Sequence, residues 1–211
     1  MTDSASLVFV VDDDDSVRGA LARLLRSAGY RVETFGSARA FLDRMPVDAC
    51  PACLVLDIEL PDLSGLELAR ELYAALPIIF ITGHGDIAMG VGAMKAGATD
   101  FLPKPVSDTD LLRAIDQALA CAVRMRATRL EFDSLRDRVE RLTPREREVM
   151  SLVVIGLLNK QVASELGTVE QTIKVHRRRV MAKMEVTSLA QLIRIADKVG
   201  LSGVAHSHAD R

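Results

Sequence analysis

Short apolar runs alternate with amphipathic stretches over the first half of the chain, and that alternation predicts its architecture. Leu7-Val8-Phe9-Val10-Val11 reads as a buried strand. From Ser16 the period becomes helical, with Val17, Leu21, Leu24 and Leu25 on one face and Gly29 as the stop. Residues 31–35 then predict a second strand, 37–44 a helix, and Cys53-Leu54-Val55-Leu56 a third strand that runs into Asp57. Pro61 and Gly65 mark a loop, followed by an amphipathic helix over 66–76. Ile78-Ile79-Phe80-Ile81 is a fourth strand ending at Thr82. Residues 86–96 predict a helix closed by Gly97, and 99–103 a fifth strand leading to Lys104-Pro105. Strands alternating with helices require right-handed crossovers, and so a parallel five-stranded sheet covered on both faces.

The second half has no strand pattern. Between Val106 and Thr143 there is neither glycine nor proline, and Leu111, Leu112, Ile115, Ala118, Leu119 and Ala122 form a helical stripe. Phe132, Leu135, Val139 and Leu142 keep spacings of three and four within a charged stretch. This predicts a long linker helix able to pair with a second subunit as a short coiled coil. Thr143-Pro144-Arg145-Glu146 starts another helix with a capping box and a proline at the first position. A short helix capped by Asn159 follows over 160–166, then one over about 169–184, and a fourth from Thr187 or Ser188 to Ala196. The expected division is an α/β domain over 1–122, a linker helix over 123–140, a four-helix domain over 141–200 and a flexible tail over 201–211.

Charge separates the halves. Residues 1–110 carry 9 Lys+Arg against 17 Asp+Glu, while 111–211 carry 18 against 12, so a net charge of -2 conceals about -8 followed by +6. An acidic module suits a cation, and a basic one suits a polyanion. The start, Met1-Thr2-Asp3-Ser4, lacks the basic and apolar regions of a signal peptide. The longest nearly apolar run, from Val149 to Leu158, is short of the roughly 20 residues that span a bilayer. A cytoplasmic protein without membrane contact is expected. Three cysteines imply no disulfide framework. Cys50-Pro51-Ala52-Cys53 has redox-motif spacing but precedes a strand instead of opening a helix.

The chemistry gathers at strand ends. Asp12-Asp13-Asp14-Asp15 after the first strand repel one another unless a cation sits among them. Parallel topology brings Asp12, Asp13, Asp57, Thr82 and Lys104 to one edge, where open α/β sheets bind ligands. These residues strongly resemble the receiver domain of two-component response regulators over roughly 5–125, whose fold is a flavodoxin-like doubly wound sheet. The resemblance implies that Asp57 is the phosphoacceptor. It implies Mg²⁺ held by Asp13 and Asp57, by Asp12 through water, and by the Glu59 backbone carbonyl. It gives Thr82 and Lys104 the phosphoryl oxygens, makes Phe101 the aromatic that turns inward with Thr82, and has Glu59 and His84 tune dephosphorylation. A cis peptide at Lys104–Pro105 is implied as well. Gly90 and Gly92 each weaken the helix after Thr82 by about 1 kcal/mol, so it should be soft and ordered by phosphorylation.

In the basic half, Leu142-Thr143-Pro144-Arg145-Glu146, Asn159-Lys160-Gln161-Val162-Ala163 and Thr172-Ile173-Lys174-Val175-His176-Arg177 closely resemble the LuxR-type helix-turn-helix. Together the halves resemble regulators of the FixJ/NarL type. The resemblance implies double-stranded DNA as partner, read in the major groove by Lys174, Val175 and Arg178. Lys160, Thr172, His176, Arg177 and Arg179 are better placed for phosphates or packing. Val169 is a poor cap for the reading helix, so Thr168 is expected to take over, with Gln171 three residues on. Also implied are a cognate histidine kinase, homodimerisation on phosphorylation and RNA polymerase as a further partner. Two alternatives remain at this stage: a haloacid-dehalogenase-like phosphatase using Asp13, since Asp13-x-Asp15-x-Val17 fits its nucleophile motif, and a DNA-binding regulator independent of phosphorylation.

Overall fold

The computed structural model describes residues 6–44, 50–72, 75–83 and 98–201, and the chain divides into two compact units, Met1–Arg126 and Ala127–Arg211. The helix expected over 86–96, His84 and the expected tail from 202 onward lie outside the described residues.

In the first unit, β1 (Leu7–Val11), α1 (Asp15–Ser27), β2 (Arg31–Phe35), α2 (Ala38–Leu42), β3 (Ala52–Asp57), α3 (Gly65–Leu72), β4 (Ile78–Thr82) and β5 (Asp100–Pro103) follow the expected order. All pairings are parallel and the sheet runs β2-β1-β3-β4-β5. This is the flavodoxin-like order, whose direction reverses between β1 and β3. Strand side chains alternate between faces. Leu7, Phe9, Leu54, Leu56, Ile78 and Phe80 pack in one cluster with residues of α2 and α3. Val8, Val10, Val55, Ile79 and Ile81 pack on the other face with α1 and the start of α4 (Asp108–Glu140). The central strands read as continuous apolar runs because both faces are covered.

This alternation also separates the two nearby thiols. Cys50 lies against the first cluster and Cys53 within the second, so the sheet stands between them, and burial pushes the Cys53 thiol up to about 12. The redox spacing at 50–53 therefore follows from a strand and makes no dithiol pair.

The second unit is helical. α5 (Pro144–Val154), α6 (Asn159–Glu165), α7 (Glu170–Lys183) and α8 (Leu189–Lys198) surround a core of Val149, Met150, Val153, Val162, Ile173, Val180, Met184 and Leu192. Val139, from the last turn of α4, and Leu142, two residues beyond it, join that core. Arg138 donates to the Met184 carbonyl and pairs with Glu185. The latter part of the expected linker is thus built into the helical unit. Gly167, at φ 60, permits the sharp turn from α6 to α7. Among the described residues no helix is long and apolar enough to cross a membrane.

Candidate functional site

At the carboxyl edge of the sheet, β1 delivers Asp12, β3 ends in Asp57, β4 in Thr82, and β5 leads to Lys104, whose N–H donates to the Thr82 carbonyl at 2.7 Å. Asp12, Asp57 and Thr82 are buried, and the Lys104–Pro105 peptide is cis. Lys104 Nζ donates to Asp12 Oδ2 at 2.8 Å and to Asp57 Oδ2 at 2.6 Å. Burial lifts the Asp12 carboxyl above its ordinary value, against the bonds from Lys104 and the Asp14 N–H. Burial also works against the Lys104 charge, yet the bonds to Asp12 and Asp57 outweigh it and raise the lysine. Carboxylate oxygens of Asp12, Asp13 and Asp57 lie within 4.8 Å of one another. A set of hard anionic oxygens, one of them exposed, fits a small divalent cation such as Mg²⁺.

Three neighbours to which the sequence pattern assigns no part in the site hold this geometry. Arg18 donates to the Asp12 backbone carbonyl and to the Asp15 carboxylate, placing a positive charge among the four acids. Asp62 accepts from the backbone N–H groups of Ala38 and Arg39, tying the loop after Asp57 to the start of α2. Gly65 lies so close to the end of β3 that a Cβ there would be 2.3 Å from the Asp57 carbonyl oxygen. Asp14 is the N-cap of α1, accepting from Val17 and Ser16, and these bonds depress its carboxyl. The four adjacent acids therefore have different duties.

In the helical unit, Lys160, Lys174, Arg178 and Arg179 are exposed, while Thr172, Val175, His176 and Arg177 are half-buried. Arg177 donates to Asn159 Oδ1, joining α7 to the start of α6, and Lys174 pairs with Glu170. Lys183 is turned away from the basic face: its ammonium bonds the buried Glu146 at 2.6 Å and the Arg141 carbonyl. His176 has its Nδ1 enclosed without a hydrogen-bond partner.

The receiver-domain family, "Response regulator receiver domain", matches residues 8–116, and "Bacterial regulatory proteins, luxR family" matches 140–196. The chain belongs to the two-component response regulators. Response regulator protein TodT of Pseudomonas putida is 45% identical over 202 residues, covering 94% of this chain and 88% of that protein. Nodulation protein W of Bradyrhizobium diazoefficiens is 50% identical over 200 residues, 93% and 88% of the two chains. Among solved structures, that of response regulator StyR superposes with a TM-score of 0.76 at 49% identity, covering 92% of this chain and 99% of that one. This response regulator joins a receiver to a LuxR-type DNA-binding domain and is homologous to transcriptional regulators. The family is one of regulators and not of enzymes, which sets aside the phosphatase built on Asp13.

The receiver residues expected at one edge are brought together there, with Phe101 half-buried against the cluster that holds Phe80. Two expectations for the LuxR-type domain are corrected. The cap of α7 is Val169 itself, 65% exposed and without a side-chain bond, so the turn is not shifted and Thr168 does not take over. Likewise Leu158 is the N-cap of α6, and Asn159, the first helical residue, accepts from Arg177. Leu158 has no acceptor to offer, and Gln161 compensates by accepting the Leu158 N–H at 2.8 Å.

Proposed function

We propose that Asp57 accepts a phosphoryl group from a cognate histidine kinase and that the modified receiver promotes a homodimer whose LuxR-type domains bind double-stranded DNA. The observation that carries this reading is the Lys104 ammonium held between Asp12 and Asp57, beside a third carboxylate. An Asp57 oxygen attacks phosphorus in line, the phosphorus–nitrogen bond of the donor histidine breaks, and the nitrogen keeps the electron pair. Asp13, Asp57 and the Glu59 carbonyl, with Asp12 through water, would hold Mg²⁺, which would offset the repulsion between carboxylate and phosphoryl oxygens. Lys104 and Thr82 take phosphoryl oxygens, Phe101 follows Thr82 inward, and Glu59 and His84 set the lifetime of the acyl phosphate.

On the DNA side, Lys174, Val175 and Arg178 face base edges, while Lys160, Thr172, Arg177 and Arg179 contact phosphates or set the helix. Exposure of Lys160, Lys174, Arg178 and Arg179 supports this, and the bond from Arg177 to Asn159 gives that residue a positioning share. The working division is a receiver over 1–122, a linker helix over 123–140, a DNA-binding domain over 141–200 and a tail over 201–211, with RNA polymerase as a further partner. Free thiols at Cys50, Cys53 and Cys121 suit a cytoplasmic setting.

The test is incubation of the full chain with Mg²⁺ and a small acyl phosphate, comparing wild type with Asp57→Asn. Wild type should form an alkali-labile acyl phosphate, double its mass and retard DNA at lower protein concentration, and Asp57→Asn should do none of these. Equal DNA retardation by both proteins, with label on wild type alone, would make binding independent of phosphorylation. Label on Asp13 would refute the acceptor assignment.

A further inference from the structure

We infer that Gln171 is a specificity-determining residue of the DNA-binding domain, reading adenine in the major groove through its side-chain amide. This rests on the assignment of α7 as the helix that enters the groove. Successive residues of a helix are about 100° apart. Ile173, Val180 and Met184 fix the inward side of α7, since all three lie in the domain core. Gln171, Val175 and Ala182 fall within roughly 20° of the opposite direction, with Arg178 about 40° and Lys174 about 80° from it on one side. Gln171, Lys174, Arg178 and Ala182 are all exposed. Gln171 therefore stands at the middle of the outward stripe, in the first turn of α7. In helix-turn-helix domains it is the N-terminal residues of the reading helix that meet base edges.

Comparison with the domain's other glutamines sharpens the point. Gln161 is the third residue of α6 and accepts the Leu158 N–H; Gln191 is the third residue of α8 and accepts the Thr187 N–H at 2.9 Å and the Thr187 hydroxyl at 3.2 Å. Both close the start of their own helix. Gln171 comes one residue earlier, second in α7, and is not folded back onto a backbone N–H. Its amide keeps a donor and an acceptor side by side, which matches the adenine pair of N6 donor and N7 acceptor. The neighbours add different chemistry: Arg178 offers a fork of donors suited to guanine, and Val175 an apolar surface suited to a thymine methyl. Ala182 continues the stripe with a small side chain.

The experiment is selection of duplexes from a randomised library by the full-length chain, with and without Mg²⁺ and an acyl phosphate, for wild type, Gln171→Ala and Gln171→Glu. Wild type should enrich a site with adenine at one position in each half. Gln171→Ala should lower discrimination at that base pair by about tenfold or more, while preferences elsewhere and the melting temperature stay unchanged. Gln171→Glu should move the preference from adenine to cytosine, whose N4 amino group a carboxylate can accept. Retention of every base preference by Gln171→Ala would overturn the assignment. So would a uniform loss of affinity for all sequences, which is the mark of a backbone contact. If wild type enriches no sequence in either condition, the reading of α7 fails together with that of Gln171.

Discussion

Lys104 serves two carboxylates with one ammonium group, so its removal is felt by both. In Lys104→Ala the buried Asp12 and Asp57 are left facing each other without the cation that bonds them. A hydrogen bond to a charged group contributes about 1.5–3 kcal/mol, and a loss of that order is expected in urea unfolding with chelator present. If the acidic cluster binds Mg²⁺ as proposed, the variant offers it a cleared, more negative site, and Mg²⁺ should raise the melting temperature of Lys104→Ala more than that of wild type. An unchanged midpoint in chelator would contradict the bridging role. Gly65 makes a second prediction of the same scale. A Cβ there meets backbone atoms, at 2.3 Å from the Asp57 carbonyl oxygen and 2.9 Å from Ile58 Cα, and neither can swing aside as a side-chain tip would. Gly65→Ala should cost about 1–3 kcal/mol and, on the proposed chemistry, slow acyl-phosphate formation, because β3 and Asp57 must shift together. Wild-type stability and phosphorylation rate in that variant would show that the loop yields freely.

At the scale of elements, α5 begins on a charge network that ties it to α7. Thr143 and Glu146 form a capping box, and Glu146, nearly inaccessible, also takes the Lys183 ammonium. That ammonium, with the Thr143 bonds, holds the Glu146 carboxyl below its ordinary value. For an acid depressed in the folded state, the stabilisation is fully present above the unfolded value, roughly 4.3, and is lost as pH falls through the lower folded value. Glu146→Gln should therefore melt lower at neutral pH and show a flatter loss of stability below about pH 4; parallel melting curves across pH would remove Glu146 as the cause. The capping box was legible in Thr143-Pro144-Arg145-Glu146, because its partners are three residues apart. Lys183 was not, since its partner is 37 positions away and a lysine on a basic helix reads as surface. The same limit explains Asp14. Strand runs and topology located the acidic edge, but four identical neighbours carry no sign of which one turns back to cap α1. Nor did the pattern reveal that α7 is followed by Glu185 at φ 55, where glycine would be the expected stop, with Arg138 and Arg141 on its carboxylate.

For the whole molecule, a chain of net charge -2 must bind a polyanion through a local field, because the acidic receiver half contributes repulsion of its own. The exposed Lys160, Arg178 and Arg179, with no ion-pair partner among the described residues, supply that field. Each phosphate neutralised by such a side chain releases counterions, so the slope of log affinity against log salt is about -0.9 per contact. If phosphorylation acts by pairing subunits, the number of phosphates met per binding event doubles while each domain keeps its own contacts. The slope for wild type with Mg²⁺ and an acyl phosphate should then be about twice that of Asp57→Asn on the same duplex, measured between about 50 and 200 mM salt. Arg179→Ala should lower it by about one contact per domain, and so by two in the phosphorylated protein. A higher affinity on phosphorylation with an unchanged slope would mean that the receiver releases or reorients a single DNA-binding domain and does not recruit a second one.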